Sequence, residues 1–508
     1  MPKSHFETAP DSETRRKYWN IDDSFRHTAN EIAGNTTGTP ALAWAVVSQG
    51  AMVHVCSTGE TALGNGHRPD VNTVFRIASL SKSFAAATTL LLERHGLVDL
   101  EAPVANYLPG LVDAGPSGRL PTLNDVLSMS GGFPSDDAWA DRQETMTSEA
   151  FDRLLAGGTV RTTRPRQTFQ YSNLGYAIIG RIIETVTGQP YPEVVGKLLF
   201  GPLGLQSTTF DHRTVPHDRF AHGYRLTEHG WKLQKPTAPG AFSAIGGVLS
   251  SLSDMGKWVS TLAASTLTDD GPLPSTLRRR MQQPITPVPF TVDPATGLPS
   301  SRDFPWGISS YGLGIFIEQD PDFGLISHHV GGYPGYGAHM CWHQSSGTGV
   351  IALGGSTYAP VSAPAGLALK SLLKRPLDTS LEIHNLDRIV AGVRSFMLHG
   401  EVTAGVFSPC VALDRSWQER RDELAYLKTH VGPLAPDGCQ VSIIDNSRLK
   451  VRFHGPGGVL AAGVLLTPVH PRRVQVLALE DHPARGRPPD PLSRGRPTRA
   501  AHVSNNKP

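Results

Sequence analysis

The stretch TVFRIASLSKSFAAATTLLL, residues 73–92, constrains this chain more than any other. It opens on the β-formers Val74, Phe75 and Ile77, meets Ser79, and runs on through Phe84, Ala85, Ala86, Ala87, Leu90, Leu91 and Leu92 as a mostly apolar helix. A helix that is apolar nearly all round has to be covered nearly all round, so the segment predicts a buried element entered from a strand. Ser79 reads as the helix N-cap. With Lys82 one turn later, the two side chains share a face and the amine can reach the hydroxyl. A free serine hydroxyl is a poor nucleophile and needs a base, and desolvation against an apolar helix fits a lysine for that use. Backbone N–H groups at the helix start add a positive field where an acyl oxyanion would develop. The plain alternative is a capping serine followed by a solvated lysine.

A length of 508 residues accommodates a large hydrolase-sized domain and a smaller one, and 39% apolar with 18% charged residues is an ordinary globular composition. The formal net charge of +2 gives no reason to expect nucleic acid or an anionic membrane surface as a partner, so recognition is expected to be local, of a small molecule or peptide. The four cysteines, Cys56, Cys341, Cys410 and Cys439, lack CxxC spacing and suit reduced thiols, with a Cys410–Cys439 pair left open. The polar N-terminal stretch and the absence of any run of about 18 apolar residues lead to the expectation of a soluble, cytoplasmic protein. Composition does not fix an oligomeric state.

Along the chain, residues 21–32 read as a first helix, and 41–47 with 51–56 as two strands joined by a hairpin. Residues 120–134 hold a short helix capped at Thr122 or Asn124, and 176–186 an amphipathic one. A further helix is expected to start near Ser253 and Asp254, and 283–305 reads as a long polar loop. Strand patterns return at 311–317, 325–329, 337–342 and 349–353, followed by a helix over 364–373. Strands before and after a helical insert imply an α+β fold: one antiparallel sheet assembled from both ends of a domain, flanked by helices, with a helical subdomain. The boundaries drawn are 1–374 for this domain, 375–480 for a small C-terminal α/β domain with a helix over 417–430 and strands at 440–444, 449–453 and 474–479, and 481–508 for a disordered Pro/Arg-rich tail.

Three motifs then gain meaning from their order. SLSK at 79–82, YSN at 171–173 and HVG at 329–331 resemble the three signature elements of the serine β-lactamase and penicillin-binding-protein superfamily, in the variety with HxG in place of KTG. The flanking strings FRIASLSKSF, VLSMSGG, FQYSNLGYAIIG, FGPLGLQSTTF, AIGGVLSS and HHVGGYPGYG are similar to those of class C β-lactamase-like esterases and D-aminopeptidases, over roughly residues 30–370. Second copies of each motif exist, at Ser447 and Lys450, Tyr18 and Asn20, and His430 and Gly432, but none stands in the matching context.

The resemblance implies a serine β-lactamase-like domain working without a cofactor. Ser79 is then the nucleophile, Lys82 its proton-sharing partner, and Tyr171 the general base or shuttle. Asn173 binds the substrate carbonyl and fixes Lys82. His329 adds a donor beside Tyr171, and Gly331 and Gly332 let the strand backbone approach the substrate, the N–H groups of Ser79 and Gly332 forming the oxyanion hole. Val330 stands where many relatives carry a small hydroxyl residue, which makes recognition of a free carboxylate less secure. His339, Cys341 and His343 fall on one strand face, a zinc reading set aside because three ligands on one strand cannot close a tetrahedron unaided. The expected reaction is hydrolysis of an ester, an amide or a D-amino-acid-containing peptide through a Ser79 acyl-enzyme. The alternatives are acyl transfer or peptide cyclisation by the same intermediate, and a non-catalytic ligand-binding relative.

Overall fold

The computed structural model describes residues 39–48, 50–112, 115, 118–264, 271–289, 308–320, 322–373, 385–435, 438–445 and 447–483. The helix expected over 21–32, most of the 283–305 loop and residues 484–508 lie outside them. The chain divides into two compact units, Met1–Arg375 and Pro376–Pro508.

In the first unit, strands β1 (Ala41–Ser48) and β2 (Ala51–Gly59) form the expected hairpin. The chain then leaves the sheet through β3 (Val74–Arg76), α1 (Ser81–Arg94), α2 (Leu123–Leu127) and α3 (Asn173–Thr187). It continues through the hairpin β4 (Tyr224–Thr227) and β5 (Gly230–Leu233), then α4 (Ser243–Gly246), β6 (Leu249–Ser251) and α5 (Leu252–Ala263). It returns through β7 (Thr286–Pro287), β8 (Ile308–Tyr311), β9 (Phe316–Asp320), β10 (Gly324–Tyr333), β11 (Tyr336–His343) and β12 (Gly349–Gly354), and ends in α6 (Ser362–Leu373). The sheet has the order β2-β1-β12-β11-β10-β9-β8-β7 and every pairing in it is antiparallel.

The period of two along β1 decides which layer each residue joins. Leu42, Trp44 and Val46 pack with Ala365, Ala368 and Leu369 of α6, whereas Ala43, Ala45 and Val47 join the larger core with Trp258 and Val259 of α5. That larger core holds α1. The Phe84 ring stacks on Trp258 at 4.2 Å, and Trp258 donates to the Ser83 hydroxyl at 3.0 Å.

Several boundaries differ from the sequence reading. The apolar run 311–317 is two strands, β8 and β9, because Gly312–Ile315 close a turn with Gly314 at φ 75°. The cap of α5 is Ser251, and Asp254 instead accepts from the Ser207 N–H at 2.6 Å and the Thr208 hydroxyl at 2.9 Å. The short helix α2 is capped by Thr122 in a full capping box with Asp125.

The second unit is an antiparallel meander of β13 (Cys439–Asp445), β14 (Arg448–Gly455), β15 (Gly458–Leu466) and β16 (Val474–Pro483), with the helices α7 (Leu386–His399) and α8 (Trp417–Val431). Strand β15, GVLAAGVLL, escaped the sequence reading because its glycines and alanines carry little strand propensity. β16 runs through Pro483, past the expected start of the tail at 481.

Candidate active site

Of residues 73–92, only Ser79 is not buried. The reason is local. Ala78 has φ 48°, so the chain turns sharply between β3 and α1, and Ala78–Leu80 form a 3-10 turn before the helix proper begins at Ser81. Ser79 is therefore not the N-cap that the sequence predicted. The capping position falls on Leu80, without a side-chain bond, which spares the Ser79 hydroxyl from the backbone. The neighbouring Ser81 hydroxyl holds the turn instead, donating to the Ala78 carbonyl at 2.6 Å and accepting from the Val248 N–H at 3.1 Å.

Lys82 is fully buried, and its ammonium donates to the Ser79 hydroxyl at 3.1 Å, to Asn173 Oδ1 at 2.7 Å and to the Ile245 carbonyl at 2.9 Å. The Lys82 nitrogen also lies 4.9 Å from the centroid of the Tyr171 ring and 5.7 Å from that of Tyr176. Those three hydrogen-bond acceptors orient the amine toward Ser79. Asn173 is set by the start of α3. Ser172 caps that helix, and both oxygens of Asp136 accept at 2.8 Å from the N–H groups of Asn173 and Leu174, a carboxylate at a helix N-terminus.

His329 sits close to this group but is not the donor that the sequence reading made it. Its Nδ1 lies 2.7 Å from the Val330 carbonyl, which can only accept, so Nδ1 carries the proton. Nε2 then accepts from the Tyr311 hydroxyl at 3.1 Å. Both nitrogens are engaged, and the ring centroid stands 6.2 Å from that of Tyr171. Burial, reinforced by the Lys82 charge, pushes the imidazole down to about 3. It is a neutral strut at ordinary pH. The Tyr171 ring stacks on Phe316 at 6.3 Å, and Phe316 meets Tyr311 edge-on at 4.6 Å, so an aromatic set links the tyrosine to the sheet.

The two glycines have different reasons from the expected one. A Cβ on Gly331 would stand 2.5 Å from the Ile77 carbonyl and 3.1 Å from Ala78 Cβ, so this glycine lets β10 close on the nucleophile turn. A Cβ on Gly332 would meet the Tyr358 ring at 2.2 Å. β9 pairs with β10 only as far as His328, so from His329 onward that edge of β10 has no strand neighbour among the described residues. Tyr333 and Tyr336, which flank the hairpin turn, are buried, and Tyr336 donates to the Ala221 carbonyl at 2.9 Å.

The second motif copies remain apart from any such arrangement. Lys450 pairs with Glu480 at 3.0 Å and His430 with Asp481 at 2.8 Å, while Tyr18 and Asn20 lie outside the described residues. His339, Cys341 and His343 do share a face, but His343 uses Nδ1 on Ser346 at 2.9 Å and Nε2 on the Phe323 carbonyl at 2.7 Å. Among the described residues no group of three or more His, Cys, Asp or Glu side chains is placed to hold a metal ion.

The family description Beta-lactamase matches residues 25–372, more than half of the chain. The chain belongs to the beta-lactamase family. Its fold is similar to that of the octameric penicillin-binding protein homologue from Pyrococcus abyssi, with a TM-score of 0.61 at 20% identity over 92% of this chain and 97% of that one. A D-stereospecific amidohydrolase from Streptomyces sp. gives 0.53 at 21% identity, over 68% and 98%. A penicillin-binding protein of Bacillus subtilis is 25% identical over 290 residues, 53% of this chain and 58% of its own, and protein flp of Staphylococcus aureus is 25% identical over 41% and 44%. The chain thus spans about half the length of the curated relatives it matches. The α+β fold of the serine β-lactamase and penicillin-binding-protein type follows from these likenesses.

Around the beta-lactamase-family site the structure adds residues that the sequence did not mark. Arg76, buried in β3, donates to Glu144 at 3.3 Å, to the Gly246 carbonyl at 3.0 Å and to the Thr237 hydroxyl at 2.9 Å, with the Tyr333 ring 4.4 Å beneath it. Glu144 also accepts from Ser243 at 3.2 Å, and burial pushes its carboxyl up against the opposing pull of Arg76. This pair clamps α4, whose Ile245 carbonyl is the third acceptor of Lys82. A backbone carbonyl leaves no trace in sequence, and a charge pair separated by 68 positions leaves little more.

Proposed function

We propose that the chain is a hydrolase that acts through an acyl-enzyme on Ser79, with an ester, an amide or a D-amino-acid-containing peptide as substrate. The observation that carries this reading is the single contact of 3.1 Å between Lys82 and the one accessible side chain of an otherwise buried turn. Before the attack Lys82 gives up one proton to solvent; Ser79 Oγ then attacks the substrate carbonyl and its proton passes to the neutral Lys82 amine, shared with Tyr171. The oxyanion is met by N–H groups at the turn and on β10, Ser79 and Gly332. Collapse breaks the bond to the leaving group, which takes the proton through Tyr171. Water then adds to the acyl carbonyl, gives a proton back along the same path, and releases the acid and Ser79. Asn173 keeps Lys82 oriented through both halves. His329, neutral and doubly bonded, acts by holding Tyr311 and the aromatic set beside Tyr171.

A reducing compartment belongs to the same reading, supported by the four free cysteines, Cys56, Cys341, Cys410 and Cys439. No helix among the described residues is long and apolar enough to cross a membrane.

The test is covalent labelling. A fluorophosphonate or penicillin probe should label the wild type and Ser447→Ala but not Ser79→Ala, with p-nitrophenyl ester hydrolysis lost in step. Labelling that survives Ser79→Ala would end the assignment. With a D-amino acid or alkylamine present at millimolar concentration, acid should remain the main product, whereas a dominant transfer product would make the chain an acyltransferase.

A further inference from the structure

Tyr358 follows β12 with φ 50°, a left-handed conformation that a bulky L residue rarely adopts and that strains the backbone. Three contacts hold it there. Its N–H donates to the Tyr336 carbonyl at 3.1 Å, its hydroxyl donates to Asp141 Oδ2 at 2.7 Å, and its ring lies on Gly332 so closely that a Cβ there would stand 2.2 Å from Cδ1 and 2.6 Å from Cε1. Yet the side chain is 54% exposed. A strained, anchored ring that buries little is poorly explained as core packing, and its position accounts for it better.

Gly332 adjoins Gly331, which rests on the Ile77–Ala78 backbone beside the nucleophile. Under the acyl-enzyme reading, on which this inference rests, the leaving group must meet its proton donor, and Tyr171 stands by His329. Gly332 lies three residues further along β10, roughly 10 Å at a strand rise of about 3.4 Å per residue. With the carbonyl oxygen on the N–H groups of Ser79 and Gly332 and the leaving group toward Tyr171, the acyl portion runs on past Gly332, where the Tyr358 ring lies at the position a Cβ would take.

We propose that Tyr358, anchored by Asp141, is the wall of the acyl pocket and sets the size of acyl group that the enzyme accepts, favouring short chains over long ones. The ring supplies a flat apolar face at the mouth, and the Asp141 hydrogen bond fixes its angle. Gly332 is required because any side chain there would displace the ring.

Two series of esters separate the acyl side from the leaving-group side. In the first, p-nitrophenyl acetate, butyrate and octanoate vary the acyl chain alone; in the second, acetates of p-nitrophenol, 4-methylumbelliferone and 1-naphthol vary the leaving group alone. Tyr358→Ala should raise the octanoate-to-acetate ratio of kcat/KM by tenfold or more, and leave ratios within the second series unchanged within twofold. Tyr358→Phe, which keeps the ring and cuts the anchor, should raise the first ratio by a few fold. Tyr358→Gly relieves the backbone strain and gives the same readout if the alanine variant does not fold. An octanoate-to-acetate ratio within twofold of wild type, or a change confined to the leaving-group series, would overturn the proposal. Either result with probe labelling of Ser79 intact refutes the wall alone, whereas labelling that persists in Ser79→Ala refutes the reading beneath it.

Discussion

Replacing His329 by glutamine separates a structural histidine from a catalytic one. The glutamine amide can donate to the Val330 carbonyl and its oxygen can accept from Tyr311, so both bonds of the neutral imidazole have substitutes. Burial beside Lys82 lowers the pKa of His329 from 6.5 to about 3. The sign follows from where each state takes up its proton. Above pH 6.5 the imidazole is neutral in the folded and the unfolded chain, and it contributes nothing to pH dependence. Below that, the unfolded chain binds a proton that the folded chain refuses until about pH 3, so stability is lost as pH falls through this window. The slope is about 1.4 kcal/mol per pH unit, which makes the loss by pH 5 about 2 kcal/mol from this residue alone. Urea unfolding of the full chain at pH 7 and pH 5 should show wild type losing about that much more than His329→Gln over the interval. His343, which burial also pushes down, is present in both proteins and cancels in the difference. The acid limb of kcat/KM should keep its midpoint in the variant, because a group that titrates near 3 does not generate it. Equal pH sensitivity of the two proteins, or a variant that loses the acid limb, would refute the neutral-strut account.

Three other outcomes follow from the same geometry. Lys82→Ala should lower kcat/KM for an activated ester by on the order of a thousandfold, read in a stopped-flow or end-point assay, since it removes the amine that contacts Ser79. Glu144→Ala leaves Arg76 buried without its carboxylate and should cost about 3–5 kcal/mol by denaturant unfolding, while Glu144→Gln, which keeps a hydrogen-bond acceptor, should cost less. Dialysis against a strong chelator should leave esterase activity unchanged, and activity that falls and returns with zinc would replace the serine mechanism with a metal-assisted one.

The buried helix, the serine and lysine one turn apart, the YSN ahead of an amphipathic helix and the histidine on a strand were legible in sequence, although that helix begins at Asn173 rather than at Tyr176. Each is a local pattern, a period of two or 3.6 or a short spacing, and local patterns survive without knowledge of the fold. A cap at Thr122 or Asn124, of which the structure uses Thr122, and the antiparallel sheet split by a helical insert were legible for the same reason. The roles of the residues were less so. Whether Ser79 caps a helix or offers its hydroxyl to Lys82 depends on one dihedral at Ala78. Whether His329 donates to Tyr171 or is consumed by Tyr311 depends on which side chain β8 brings opposite it, and β8 itself was merged with β9 in the sequence reading. The glycines of HVGG were marked as letting the strand approach a substrate; the groups packed against them, the Ile77 carbonyl and the Tyr358 ring, come from segments 254 positions before the first and 26 after the second in the chain. The Ile245 carbonyl, the Arg76–Glu144 clamp and the Tyr358–Asp141 anchor belong to tertiary structure alone. Hydrogen bonds and ion pairs across such separations are chosen by which surfaces pack, and that choice is made by the whole core rather than by any stretch of the sequence.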